Sequence, residues 1–146
     1  MATDGSEPGG LSPEQHAALA EFRYRLRRFL AFSEAAATAA GLPPQQHQAL
    51  LAIAGHVGAA PPSVGTLARR LLVAPHSAAE LVRRMEGAGL VTKAPAPEDR
   101  RRIELALTAE AWAVLRRLTA AHLDELRGLE PALTRALGGA EPRTPP

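Results

Sequence analysis

The stretch from Ser63 to Leu107 constrains this chain more than any other. After a capping serine, Val64, Leu67, Ala68 and Leu71 recur at helical spacing. Pro75, at a position where a missing N–H costs nothing, opens a second helix whose apolar side is Ala78, Leu81, Val82 and Met85. Gly87 or Gly89 stops it. Leu90 to Ala94 and Arg102 to Leu107 then read as short strands, because Ile103, Leu105 and Leu107 alternate with Glu104 and Ala106. The connection Pro95-Ala96-Pro97-Glu98-Asp99 cannot be helical. Two short helices across a tight break, followed by an arginine-tipped hairpin, make a winged helix-turn-helix with a small wing of two or three strands.

Charge follows the same division. From Ser63 to Ile103 eight positive side chains stand against four negative ones, a net of +4. The whole chain carries +2, so the remainder sums to −2. Positive charge concentrated in one small module is the footprint of a polyanion binder, and a winged helix-turn-helix places one helix in the major groove of double-stranded DNA.

The rest of the chain is mainly helical. Residues 1–11, polar and Gly-rich, are expected to be disordered. Ser12-Pro13-Glu14-Gln15 reads as a helix start with serine as N-cap and glutamine three residues on. Leu19, Phe22, Leu26, Phe29, Leu30 and Ser33 form the stripe of this first helix, which Gly41 ends in a left-handed conformation. Pro43-Pro44 opens a second helix with Leu50, Leu51, Ile53 and Ala54 on its buried side. Thr108 caps a long last helix striped by Trp112, Leu115, Thr119, His122 and Leu126, with a break or bend expected near Gly128. Residues 138–146 are expected to fray. The domain reading is thus a helical dimerisation domain from 12–41 and 108–137, and a winged helix-turn-helix over 42–107.

Taken together, Leu42-Pro43-Pro44-Gln45-Gln46-His47, Val64 to Leu71, Ser77, Leu81 to Glu86, Gly87-Ala88-Gly89-Leu90-Val91, Asp99-Arg100-Arg101 and Leu107-Thr108 resemble the MarR family of bacterial transcriptional regulators. The resemblance spans about Ser12 to Leu126. It implies a homodimer whose terminal helices form the dimer domain, with two wings reaching along DNA. It also implies regulation by a small-molecule effector held between the terminal helices and the winged module, for which Tyr24, Arg28, Phe32 and His47 are the candidates. The chain departs from the family pattern at His47, where an aromatic is common, at Ala111, where glycine is common, and at Glu80 on the recognition helix. A carboxylate at Glu80 repels phosphate but can accept from cytosine N4.

For DNA contact the chain offers Pro75, His76, Ser77, Ala79 and Glu80 on the first turns of the recognition helix, Arg83 and Arg84 on its outer face, and Arg100, Arg101 and Arg102 on the wing. Asp99 is expected to orient a neighbouring arginine through a charge-assisted salt bridge. The five histidines show no ligand spacing, so no metal site and no cofactor are expected. Adjacent His76 and Ser77 point in different directions on a helix, and no third group completes a nucleophile, so no catalytic residue is expected. Cysteine is absent. With neither a membrane-spanning run nor a signal segment, the expected place is the cytoplasm. The reading is a dimeric repressor of a pseudo-palindromic operator; a winged-helix protein-interaction module without DNA binding is the alternative.

Overall fold

A computed structural model describes residues 11–138 of the 146. The expectations of disorder at residues 1–10 and of fraying at 139–146 lie outside these residues. The element order is α1 (Pro13–Ala39), α2 (Pro44–Ala54), α3 (Val64–Leu71), α4 (Pro75–Gly87), β1 (Val91–Pro95), β2 (Ile103–Leu107) and α5 (Ala109–Leu137). The fold is mainly α with a two-stranded antiparallel wing, a winged helix-turn-helix. The described chain forms two compact units, one from residues 34–120 and one from the segments before 34 and after 120. Their boundaries fall inside α1 and α5, whereas the sequence reading divided the chain at the ends of those helices.

In the unit 34–120, Leu42, Leu50, Ile53, Leu67, Leu81, Val82, Met85, Leu90, Val91, Leu105, Leu115 and Leu118 form one buried cluster. The apolar side expected of α4 is buried in full. On α2 the expectation holds for Leu50 and Ile53, whereas Leu51 is exposed and His47 takes an inward place. Residues 47, 50 and 53 follow one another at spacings of three, and residue 51, beside 47, lies nearly opposite 53 on the helix.

Three helices of this unit end in the same way. After α1, α3 and α4, a residue two or three positions past the helix donates its backbone N–H to a carbonyl five residues back: Leu42 to Ala37, Val73 to Ala68, and Leu90 to Met85. That closure needs a left-handed residue just before the donor. Gly41 (φ 82°) and Gly89 (φ 74°) supply it at no steric cost. After α3 the position is Leu72 (φ 57°).

Side-chain caps fix the helix starts. Ser63 Oγ accepts from the Thr66 N–H at 3.1 Å. Thr108 Oγ1 accepts from the Ala111 N–H and donates to the carbonyl of Gly89, fastening the start of α5 to the turn after α4. β1 pairs with β2 from Val91↔Leu107 to Pro95↔Ile103. A third strand is reduced to one bridge, Ser63↔Glu104, with the Leu105 N–H donating to Pro62.

In the other unit, Ser12 and Gln15 satisfy each other's backbone N–H groups reciprocally, as their spacing predicted. Ser33 is buried and hydrogen-bonded to His122 Nε2 at 2.8 Å, and the edges of the His122 ring meet Phe29 and Phe32. α5 runs unbroken through Gly128 and Pro131, so the break expected near Gly128 is absent. Neither glycine flexibility nor the one donor a proline removes is enough to stop a helix whose neighbouring turns remain bonded.

Candidate nucleic-acid interface

The outer face of α4 follows from its inner face. Pro75 starts the helix, and the N–H groups of Ser77 and Ala78 bond back to Ala74. With Ala78, Leu81, Val82 and Met85 turned to the core at spacings of three and four, Pro75, His76, Ser77, Ala79, Glu80, Arg83 and Arg84 are left exposed. His76, Ser77, Glu80 and Arg84 edge an open cavity of about 550 Å³, together with Gln45 and Val73.

Glu80 sits between two arginines. Its Oε1 accepts from Arg83 at 2.5 Å and lies 3.5 Å from the Arg84 guanidinium. The hydrogen bond from Arg83 and the charges of Arg83 and Arg84 hold its carboxyl below the usual range. Glu80 is therefore ionised, and both guanidinium groups lean toward it rather than outward.

On the wing, three arginines adjacent in sequence differ in role. Arg100 and Arg101 are exposed at the tip. Arg102 is held: it donates to Glu104 at 2.8 Å and to the backbone carbonyl of Pro61, and it lies 3.9 Å from Glu98. It ties the hairpin to the segment before α3, so its charge is already engaged. Asp99 corrects the expected salt bridge. Among the described residues its carboxylate pairs with no guanidinium; Oδ1 accepts the backbone N–H of Arg101 at 3.0 Å, and the Arg102 N–H donates to its carbonyl. The physical reason is reach: a short aspartate at the start of a turn meets the N–H two residues on before any long side chain. Asp99 shapes the loop that presents Arg100 and Arg101.

Sequence reasoning missed Glu104 as the partner of Arg102. The signal was legible, since opposite charges two residues apart on an extended strand lie on one face. Arg69 and Arg70, in the last turn of α3, add two exposed cations that were counted but given no role.

The four effector candidates do not share one setting. Arg28 and Phe32 line a cavity of about 260 Å³ within the terminal-helix unit, with Arg25, Phe29, Glu125 and Leu129. Tyr24, exposed, lies under the Arg28 guanidinium at 5.9 Å from ring centre to Cζ. His47 belongs to the core of the other unit, 2% exposed. No three His, Asp or Glu side chains among the described residues are grouped to hold a metal ion.

Residues 40–102, which comprise α2, α3, α4, β1 and the wing loop but not β2, match the model of the MarR family. The match is confined to this module, less than half of the chain. Solved structures repeat the MarR-type fold. RV1404 of Mycobacterium tuberculosis superposes with a TM-score of 0.69 at 24% identity, covering 90% of this chain and 95% of that one. AbsC of Streptomyces coelicolor, a MarR family transcriptional regulator, gives 0.67 at 20% identity, over 87% of this chain and 91% of that one. A single-residue variant of MepR from Staphylococcus aureus, bound to an oligodeoxyribonucleotide, gives 0.63 at 16% identity, over 77% and 81%. No curated protein sequence matches the chain.

Proposed function

We propose that this protein is a DNA-binding transcriptional regulator of the MarR family, a repressor that binds a pseudo-palindromic operator as a homodimer. The observation that carries the reading is the coincidence of exposure and charge: His76, Ser77, Arg83, Arg84, Arg100 and Arg101 serve no core and stand on the recognition helix and wing. In this reading α4 enters the major groove by its first turns, and Arg100 and Arg101 grip phosphate or the minor groove beside it. Arg102 contributes by holding the wing, and Asp99 by shaping its tip. A two-fold dimer then requires two half-sites. Exposed leucines on both terminal-helix segments (Leu19, Leu30, Leu123, Leu126, Leu133 and Leu137) support the dimer. The cavity beside Arg28 and Phe32 supports a small-molecule effector, which would lower DNA affinity by binding the DNA-incompetent state more tightly. The protein is a binder rather than an enzyme, and its site of action is the DNA of the cytoplasm. Among the described residues no helix is long and apolar enough to cross a membrane.

The test is selection of bound duplexes from a genomic pool, with affinity followed against salt. The expected result is an enriched pseudo-palindrome, bound with a steep salt dependence. Glu80, which occupies Arg83 and Arg84, favours the second reading of a winged-helix protein-interaction module. Absence of retention on any duplex at low salt would establish that reading instead.

A further inference from the structure

We infer that Glu80 and Arg83 act as one unit that reads a C·G base pair in the major groove, Glu80 accepting from cytosine N4 and Arg83 donating to guanine O6 and N7. The inference rests on the DNA-binding reading above and assigns specificity within it. An acidic side chain on a groove-docked helix is repelled by the phosphates on either side unless its charge is offset locally. Here it is offset: Oε1 of Glu80 meets both Arg83 and Arg84, and the three side chains together carry one positive charge. Both contacts fall on one oxygen, so among the described residues Oε2 remains available as an acceptor.

Chemistry then selects the base. An ionised carboxylate only accepts. Guanine offers the major groove two acceptors, which it repels. Thymine offers an acceptor and a methyl group. Adenine offers a donor flanked by the acceptor N7, a pattern matched by an amide rather than a carboxylate. Cytosine alone offers a donor with no acceptor on the same base. In a C·G pair the guanine O6 and N7 lie next to that donor across the groove, and they are the groups a guanidinium reads bidentately. A carboxylate and a guanidinium already joined side by side therefore match the edge of this pair as a preformed unit. As a helix stabiliser alone the exposed pair is worth little, and Glu80 supports no core residue.

The experiment is selection of bound duplexes from a random pool with the wild-type protein and with Glu80→Ala and Glu80→Gln, each checked for an unchanged melting curve. The wild type should enrich a C·G pair at one position of each half-site. Glu80→Ala should lose that preference, on the order of tenfold in discrimination, while the other positions keep theirs. Glu80→Gln should shift it toward adenine, because an amide both donates and accepts. Both variants should bind random duplex more tightly than the wild type, since a negative charge has left the interface. A C·G preference that survives in Glu80→Ala would overturn the inference and leave the regulator reading intact. Uniform loss of affinity with the same enriched sequence would also overturn it, showing that Glu80 only positions the helix. A wild type that enriches no sequence would overturn both.

Discussion

The two compact units treat their apolar residues in opposite ways. In the unit 34–120 the leucines, valines and methionine of four helices and the wing close on one another, and eighteen of the nineteen buried hydrophobic residues among those described lie there. In the terminal-helix unit only Ala132 joins them, while Leu19, Leu30, Leu123 and Leu137 are each more than half exposed. The winged unit closes a core, with Leu51, Val57, Leu72 and Trp112 left exposed on it. The terminal unit is an apolar surface still to be covered. One unit is built to hold a shape alone, the other to be completed by something else, and a second copy of the chain is the proposed complement.

The sharpest way to break this contrast is to remove half of the exposed unit. Deletion of Leu126 to Pro146 takes away three exposed leucines together with buried Ala132. The expected product is aggregated or unfolded protein. Size-exclusion chromatography that returned a folded, monodisperse monomer would show that the terminal helices need no complement.

Within the winged unit, neighbouring leucines on α2 should behave differently. Leu50 is fully buried and Leu51 is 43% exposed. Leu50→Ala should cost about 2–5 kcal/mol through lost transfer and an unfilled cavity. Leu51→Ala should cost less than about 1 kcal/mol, because the site is already wet. Urea unfolding measures both, and equal losses would mean that the helix face has been misassigned.

The wing separates folding from binding. Arg100 and Arg101 are exposed, so their replacement by alanine should change stability by no more than about 0.5 kcal/mol. The slope of log K against log salt should fall by about one unit for each arginine lost, and so by about two units per position changed in the proposed dimer. Arg102→Ala should do the reverse, loosening the wing root that it ties to Pro61 and Glu104. Equal effects of the three substitutions on both readouts would erase the distinction between tip and root.

The smallest effect expected is a gain. Leu72 stands in the left-handed position that Gly41 and Gly89 fill elsewhere, and it is 92% exposed, so it returns no packing for its strain. The left-handed conformation costs a non-glycine residue about 1–2 kcal/mol, and glycine gives back about 0.4–1 kcal/mol through the freedom of the unfolded chain. Leu72→Gly should therefore raise stability by about 0.5–1 kcal/mol in thermal or urea unfolding. A loss would mean that the leucine is held by a contact made only in the assembled protein.

Much of this molecule was legible before its fold was known. Local rules sufficed for the Ser12–Gln15 start, the left-handed end at Gly41, the proline opening α4 and the burial of Ala78, Leu81, Val82 and Met85, because each depends on residues within a turn or two; between Gly87 and Gly89 only the structure chose Gly89. The winged helix-turn-helix followed from their order. Periodicity alone misjudged Leu51, since an apolar stripe says which residues share a face but not whether anything lies opposite. The arginine run read as three equal charges. Only the tertiary structure separated them, because Arg102 meets the Pro61 carbonyl forty-one residues away in the chain, whereas the side chains of Arg100 and Arg101 pair with no group among the described residues. Asp99 and Glu80 show the same limit at short range. Asp99 was read as the partner of an arginine and Glu80 as a carboxylate facing DNA, and geometry gave the first a backbone N–H and the second two guanidinium groups. Sequence determined which local structures form, because those are chosen by nearest neighbours. The tertiary structure decided which charges remain free to act, because that depends on what the folded chain brings within three ångströms.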